Sequence, residues 1–156
     1  MRKIQVILCA LVVLCCACND RVIYNTFYSL PFEGWHQDSA LIYTTEIADS
    51  TAHYEMLIVV RHTAQYPYQN LWLFVDEYAG DMLIYQDTVE ATLADDYGRW
   101  LGRGINRYEL SLLYDEQHRF TQSGEHSFAI RQGMRQEWLK GMTEVGLIIQ
   151  QNNGKE

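Results

Sequence analysis

Residues 107–114 run Arg107-Tyr108-Glu109-Leu110-Ser111-Leu112-Leu113-Tyr114. Tyr108, Leu110, Leu112 and Tyr114 take every second position, with Arg107, Glu109 and Ser111 between them. Successive side chains of a strand point to opposite faces, so a period of two marks a strand with one face on a core and one in water. The rhythm returns at His126, Phe128 and Ile130 against Glu125, Ser127 and Arg131, and again at Val145, Leu147 and Ile149. Residues 56–60 and 71–75 are apolar without alternation, which predicts central strands covered on both faces. The turn-like Gln65-Tyr66-Pro67-Tyr68-Gln69-Asn70 predicts that these two form a hairpin. Gly80-Asp81 predicts a second hairpin, between 71–78 and 82–89.

With segments 22–30 and 41–47 the count reaches about eight strands. One short helix is expected at 133–140, burying Met134 and Trp138 at spacing i, i+4 and stopped by Gly141. Short strands at regular spacing and 13% aromatic residues predict a single all-β sandwich, jelly-roll or Ig-like; a closed barrel is the alternative.

The ends of the chain carry a different signal. Residues 1–17 hold a basic head (Arg2, Lys3), an apolar run and Cys15-Cys16-Ala17, the layout of an export signal too short to span a bilayer. All four cysteines (Cys9, Cys15, Cys16 and Cys18) fall at this end, whereas a disulfide-stapled domain would spread them through its body. Leu14-Cys15-Cys16-Ala17-Cys18 is similar to a bacterial lipobox, in which cleavage after a small residue exposes a cysteine that is then lipidated. Ala17 supplies the small residue, so Cys18 is the expected lipid-bearing N-terminus and the link to the membrane. Cleavage before Cys16 and an ordinary secretory signal with chance cysteines are the alternatives. Residues 18–21 then form the lipidated end and a short tether, 22–151 the sandwich, and 152–156 a frayed tail. Loss of Arg2 and Lys3 takes the formal charge from −8 to −10, which argues against a nucleic-acid partner or a polybasic membrane patch.

Candidate chemistry is sparse. Gly98, Gly102 and Gly104 with Arg99 and Arg103 suggest a phosphate loop, but such loops lead into a helix N-terminus and residues 107–114 read as a strand. Asp95-Asp96 and Asp115-Glu116 pair carboxylates, yet adjacent strand residues face opposite ways. His36, His53, His62, His118 and His126 lack metalloprotease spacing, and no metal site or cofactor is expected. An enzyme would need a cleft of convergent Asp and His, such as His62 with Asp95; none is expected. Eleven tyrosines and four tryptophans leave room for an exposed aromatic platform for sugars or a protein partner, although core packing accounts for most of them.

Several blocks together resemble the gliding-motility lipoprotein GldH family. They are Val60-Arg61-His62, Tyr66-Pro67-Tyr68-Gln69-Asn70-Leu71-Trp72-Leu73-Phe74, Asp87-Thr88, Leu93-Ala94-Asp95, Gly98-Arg99-Trp100-Leu101-Gly102 and Gly104. Phe128, Ile130, Gln132-Gly133-Met134-Arg135, Leu139, Gly141 and Val145-Gly146-Leu147 continue them, and the N-terminal part matches through Trp35, Asp38-Ser39 and the lipidation signal. The resemblance implies a cell-envelope lipoprotein, in the outer membrane of a Gram-negative bacterium, linked to gliding and envelope secretion machinery, and it brings no catalytic residues. In that setting Asp-Ser/Thr motifs at Ser39, Ser50 and Thr88 become candidate O-glycosylation sites. The expected function is non-catalytic binding of other envelope proteins by a tethered domain, through a contact face around Trp100, Arg103, Arg135 and Trp138. A lipid-anchored glycan-binding module is the alternative.

Overall fold

The computed structural model describes residues 22–152, so the leader, Cys18, the tether and residues 153–156 lie outside the described residues. Ten strands form among the described residues: β1 (Val22–Ser29), β2 (Trp35–His36), β3 (Leu41–Ile47), β4 (His53–Thr63), β5 (Asn70–Ala79), β6 (Met82–Thr92), β7 (Arg107–His118), β8 (Gly124–Gln132), β9 (Trp138–Leu139) and β10 (Met142–Asn152). Eight are long, and they make two antiparallel sheets, β1-β10-β4-β7 and β3-β8-β5-β6. That interleaving is the jelly-roll order of a β-sandwich, and two separate sheets replace the closed barrel. The chain crosses between sheets at each step except one, the β5–β6 hairpin.

This crossing corrects the first expected hairpin. Segments 56–60 and 71–75 lie in different sheets, β4 beside β10 and β7, and β5 beside β8 and β6. Both are central strands; the outward Val59 of β4 is buried at 2% exposure, whereas the outward face of β5 is open. Their inward residues, Met56, Ile58, Val60, Leu71, Leu73 and Val75, join the core with Tyr43, Phe128, Ile130, Val145, Leu147 and Ile149. Outward, Trp72 and Phe74 stand 37% and 40% exposed. Burial of each large apolar side chain contributes about 1.5–3 kcal/mol, so this layer carries most of the fold's stability. Tyr43 also links the two sheets, its hydroxyl donating to the Val145 carbonyl at 2.8 Å.

The expected helix at 133–140 is absent. Buried Gln132 takes up the backbone groups a helix would bond internally: its Oε1 accepts the Met134 N–H at 2.8 Å and its Nε2 donates to the Gln136 carbonyl at 2.7 Å. The chain then extends as β9 and pairs with β2, Trp35 opposite Leu139 and His36 opposite Trp138. Leu139 and Trp35 close one end of the core, while Trp138 turns outward at 47% exposure. Gly141 follows with φ of +87°, its backbone against Tyr66, a place where any Cβ would meet the Tyr66 nitrogen at 2.5 Å.

Candidate functional site

The jelly roll has two unlike ends. Val22, Asn152 and the short connections 48–52, 80–81 and 119–123 share one end. The long connections 30–40, 64–69, 93–106 and 133–141 share the other, about 35 Å away along strands of roughly eleven residues. Large apolar side chains stand exposed on these long loops: Phe32 at 97%, Tyr97 at 86%, Ile105 at 88%, with Leu101 and Trp138 about half so. The loops are nonetheless built, not slack. Asp95 accepts the backbone N–H groups of Tyr97 and Arg99 at 2.9 Å each and the Arg99 Nε at 2.7 Å, and these bonds hold its carboxyl below the usual carboxylate range. Arg103 and Glu109 exchange two backbone hydrogen bonds at 2.9 Å. The following segment is β7, so the glycine-rich stretch leads into a strand and offers no helix N-terminus to a phosphate.

All four residues of the expected contact face lie at this loop end, in four separate settings. Trp100 is half-buried, its ring 4.4 Å from that of His62 and 5.8 Å from that of Tyr108. Arg103 is exposed on the turn it closes with Glu109. Trp138 lies 4.7 Å from His36, beside a concavity formed with Phe32, Gln65 and Lys140. Arg135 lines a different hollow with Trp72 and Met134. Asp95 pairs with Arg99, and Glu137 with His36 at 3.4 Å, so neither carboxylate engages Arg103 or Arg135. Ser39 is exposed in the 30–40 loop and Ser50 half-buried near Ser123; Thr88 is exposed in the middle of β6, opposite Phe74.

A second feature is the outer face of the β3-β8-β5-β6 sheet. Trp72 and Phe74 stand in line on β5, with Gly133 of the neighbouring strand edge beneath; a Cβ there would touch both side chains at 3.2–3.3 Å. Three hollows follow this face, of about 530, 460 and 330 Å³, the first two sharing Asp76 and Arg131. The apolar run 71–75 reads as a doubly covered strand, which hides this surface from the sequence. The signal was available: Trp72 and Phe74 alternate with Leu71, Leu73 and Val75, so at strand spacing they share the face turned from the core.

Titratable groups gather at a third place, the gap between the β6 and β7 edges. His118 Nε2 lies 3.3 Å from Glu77 and its Nδ1 3.1 Å from Asp115, beside a hollow of about 460 Å³ that also meets Tyr85, Asp87 and Tyr114. Burial alone would lower the affinity of His118 for its proton, but hydrogen bonds and charge from Glu77, then Asp115, raise it above the ordinary value. His62 goes the other way. It is fully buried among Tyr66, Trp100 and Tyr108, and that burial pushes it below its ordinary value. Its Nδ1 meets the Thr63 carbonyl at 3.0 Å and its Nε2 has no hydrogen-bond partner, so it makes no dyad with Asp95. Among the described residues no three His, Cys, Asp or Glu side chains are arranged to hold a metal ion.

Residues 22–149, nearly the whole jelly roll, match the family model described as GldH lipoprotein. The chain belongs to the GldH lipoprotein family. It is 29% identical over 150 residues to a gliding motility lipoprotein GldH homolog of Christiangramia forsetii, covering 91% of each chain. It is 28% identical over 145 residues to the gliding motility lipoprotein GldH of Flavobacterium johnsoniae, covering 88% of this chain and 89% of that one. Among solved structures, a TNF from S. frugiperda (Eiger) is similar at a TM-score of 0.35 and 6% identity, covering 87% of this chain and 96% of its own. The VP2 subviral particle of infectious bursal disease virus is similar at a TM-score of 0.36 and 14% identity, over 82% of this chain and 30% of its own. The GldH assignment makes this a lipid-anchored lipoprotein of the cell envelope and brings with it no known enzyme activity.

Proposed function

We propose that this GldH-family protein is a non-catalytic, lipid-anchored binder of the gliding and envelope secretion machinery. Lipid on Cys18 holds it to the outer membrane, and the long-loop end captures another envelope protein. One observation carries the proposal: the described chain starts at the short-loop end, and the exposed apolar side chains Phe32, Tyr97, Leu101, Ile105 and Trp138 crown the opposite end. A domain hung by residues 18–21 turns its short-loop end to the bilayer and its crown away from it. Asp20 is not the residue immediately after Cys18, which favours passage to the outer membrane over retention at the inner one. Confinement to a surface raises the effective concentration of the crown for membrane-bound partners, so a modest intrinsic affinity suffices. Exposed aromatic and aliphatic anchors flanked by Arg103 and Arg135 have the composition that protein interfaces favour.

Photo-crosslinking amino acids placed at positions 97, 105 and 138, and separately at 81 and 121, test this in cells. The loop-end set is expected to capture a discrete envelope protein and the short-loop set none. Capture from positions 81 and 121 alone, or a Cys18→Ala chain that stays in the membrane fraction, would refute the orientation. A second proposal, glycan binding, is favoured by the two in-line exposed rings of Trp72 and Phe74 on the outer sheet face.

A further inference from the structure

We infer that the outer face of the β3-β8-β5-β6 sheet is a binding trough for a strand of neutral polysaccharide, with Trp72 and Phe74 as its stacking platform and Asp76, Gln86 and Arg131 as its hydrogen-bonding groups. The inference deepens the glycan proposal and rests on it. Trp72 and Phe74 are two residues apart on one strand, so they project from the same face. Their side chains pack down onto Gly133, where any Cβ would crowd the Trp72 Cβ at 3.2 Å and the Phe74 ring at 3.3 Å. Ala129 and Ser127 continue the small-residue floor along β8 past Arg131, and Ile42 and Tyr78 flank it. Aliphatic faces of sugar rings need such flat, partly exposed aromatic surfaces, and a polymer needs the open, extended shape of linked hollows.

The polar centre of the trough separates a sugar from a greasy ligand. Asp76 is 6% exposed although it points to the outer face, and it is held on two sides. Gln86 Nε2 donates to its Oδ1 at 2.9 Å and Arg131 Nη2 to its Oδ2 at 2.9 Å, and the Arg131 guanidinium lies 5.9 Å from the centre of the Phe74 ring. These contacts fix three planar groups before any ligand arrives. They also leave spare valences: the Gln86 carbonyl oxygen can still accept, and the remaining guanidinium N–H groups can still donate. A hydroxyl both donates and accepts, so it satisfies both kinds. Asp76 and Arg131 balance each other, while Asp81 and Asp87 line the same two hollows and make the surrounding face acidic. The acidic surroundings disfavour an anionic polymer, and the paired spare donors and acceptors suit the hydroxyls of a neutral one.

The test uses the purified full chain in detergent, titrated with cellohexaose, laminarihexaose, mannohexaose and dextran by microscale thermophoresis. At least one is expected to bind. Trp72→Ala and Phe74→Ala should each weaken it about tenfold, the size of one lost aromatic stacking contact. Gln86→Ala should weaken it about fivefold. Leu113→Ala, an exposed change on the other sheet, should leave it unchanged. Binding that survives both ring deletions overturns the trough while leaving glycan binding intact. No binding to any of the four overturns the glycan proposal together with the trough.

Discussion

Glu77→Gln is the sharpest test of the charge cluster between the β6 and β7 edges. The Glu77 carboxylate lies 3.3 Å from His118 Nε2 and 3.5 Å from His126 Nδ1, while Asp115 sits 3.1 Å from His118 Nδ1. Phe120 and Phe128 cover the His118 ring from β8 and the loop before it, with ring centres 4.7 and 6.4 Å away. Because His118 holds its proton more tightly folded than unfolded, the stability it contributes is complete below its unfolded value of 6.5 and disappears as pH rises through the folded value. The substitution keeps the shape of the side chain and removes its charge. A buried hydrogen bond to a charged group is worth about 1.5–3 kcal/mol, so the loss should be about 2 kcal/mol at pH 6. At pH 9, with the ring neutral, it should shrink below about 0.5 kcal/mol. Urea unfolding followed by tryptophan fluorescence reads this as a midpoint gap of about 1 M at pH 6 that closes towards pH 9. His62, whose buried ring has the opposite pH dependence, is present in both proteins and cancels in the difference. An equal gap at both pH values, or one that widens with pH, would show that no protonated His118 is held there.

Gly141→Ala forces a side chain into a left-handed backbone and against the Tyr66 nitrogen; it should cost about 3 kcal/mol, seen as a Tm lower by roughly 10 °C. Tyr43→Phe removes the link to the Val145 carbonyl and should cost about 1 kcal/mol by chemical denaturation with the fold intact; an unchanged midpoint would deny the hydrogen bond any role. Trp100→Ala opens His62 to water, so the imidazole midpoint followed by NMR should climb back towards its ordinary value of 6.5. A midpoint that does not move would mean that Tyr66 and Tyr108 alone keep the ring dry.

Local period carried far in this chain, and long-range pairing did not. Alternation at 107–114, 125–131 and 145–149 located β7, β8 and β10, because each strand shows one face to the core and one to water. The β5–β6 hairpin was legible at Gly80-Asp81 because its contacts are local. The supposed hairpin across 65–70 failed for the opposite reason: a connection that turns back within a sheet and one that crosses to the facing sheet use the same turn residues. The helix at 133–140 failed because Met134 and Trp138 suit either period, and the arbiter, buried Gln132, acts through its side chain. Of the contact face, Trp138, Arg103 and Arg135 are exposed as an interface requires, whereas Trp100 is half-buried against His62 and Tyr108. The loop crown escaped notice since Phe32, Tyr97 and Ile105 sit in no periodic pattern.

The two unlike ends follow from parity. A chain that enters a sandwich at one end and runs the length of each strand must place its odd-numbered connections at the far end and its even-numbered ones at the entry end. Here the odd connections are 30–40, 64–69, 93–106 and 133–141, and the even ones are 48–52, 80–81 and 119–123. Loop closure costs grow only slowly with length, so nothing in folding requires the three longest, 30–40, 93–106 and 133–141, to fall on one parity. Long loops on a rigid scaffold are where binding residues collect. Eight long strands also return the chain to its entry end, which is why Val22 and Asn152 lie together there. An anchor moved from the N-terminus to the C-terminus would therefore present the same crown in the same direction. Partner capture should survive that transplant if orientation is what the lipid provides, and should fail if residues 18–21 themselves contact the partner.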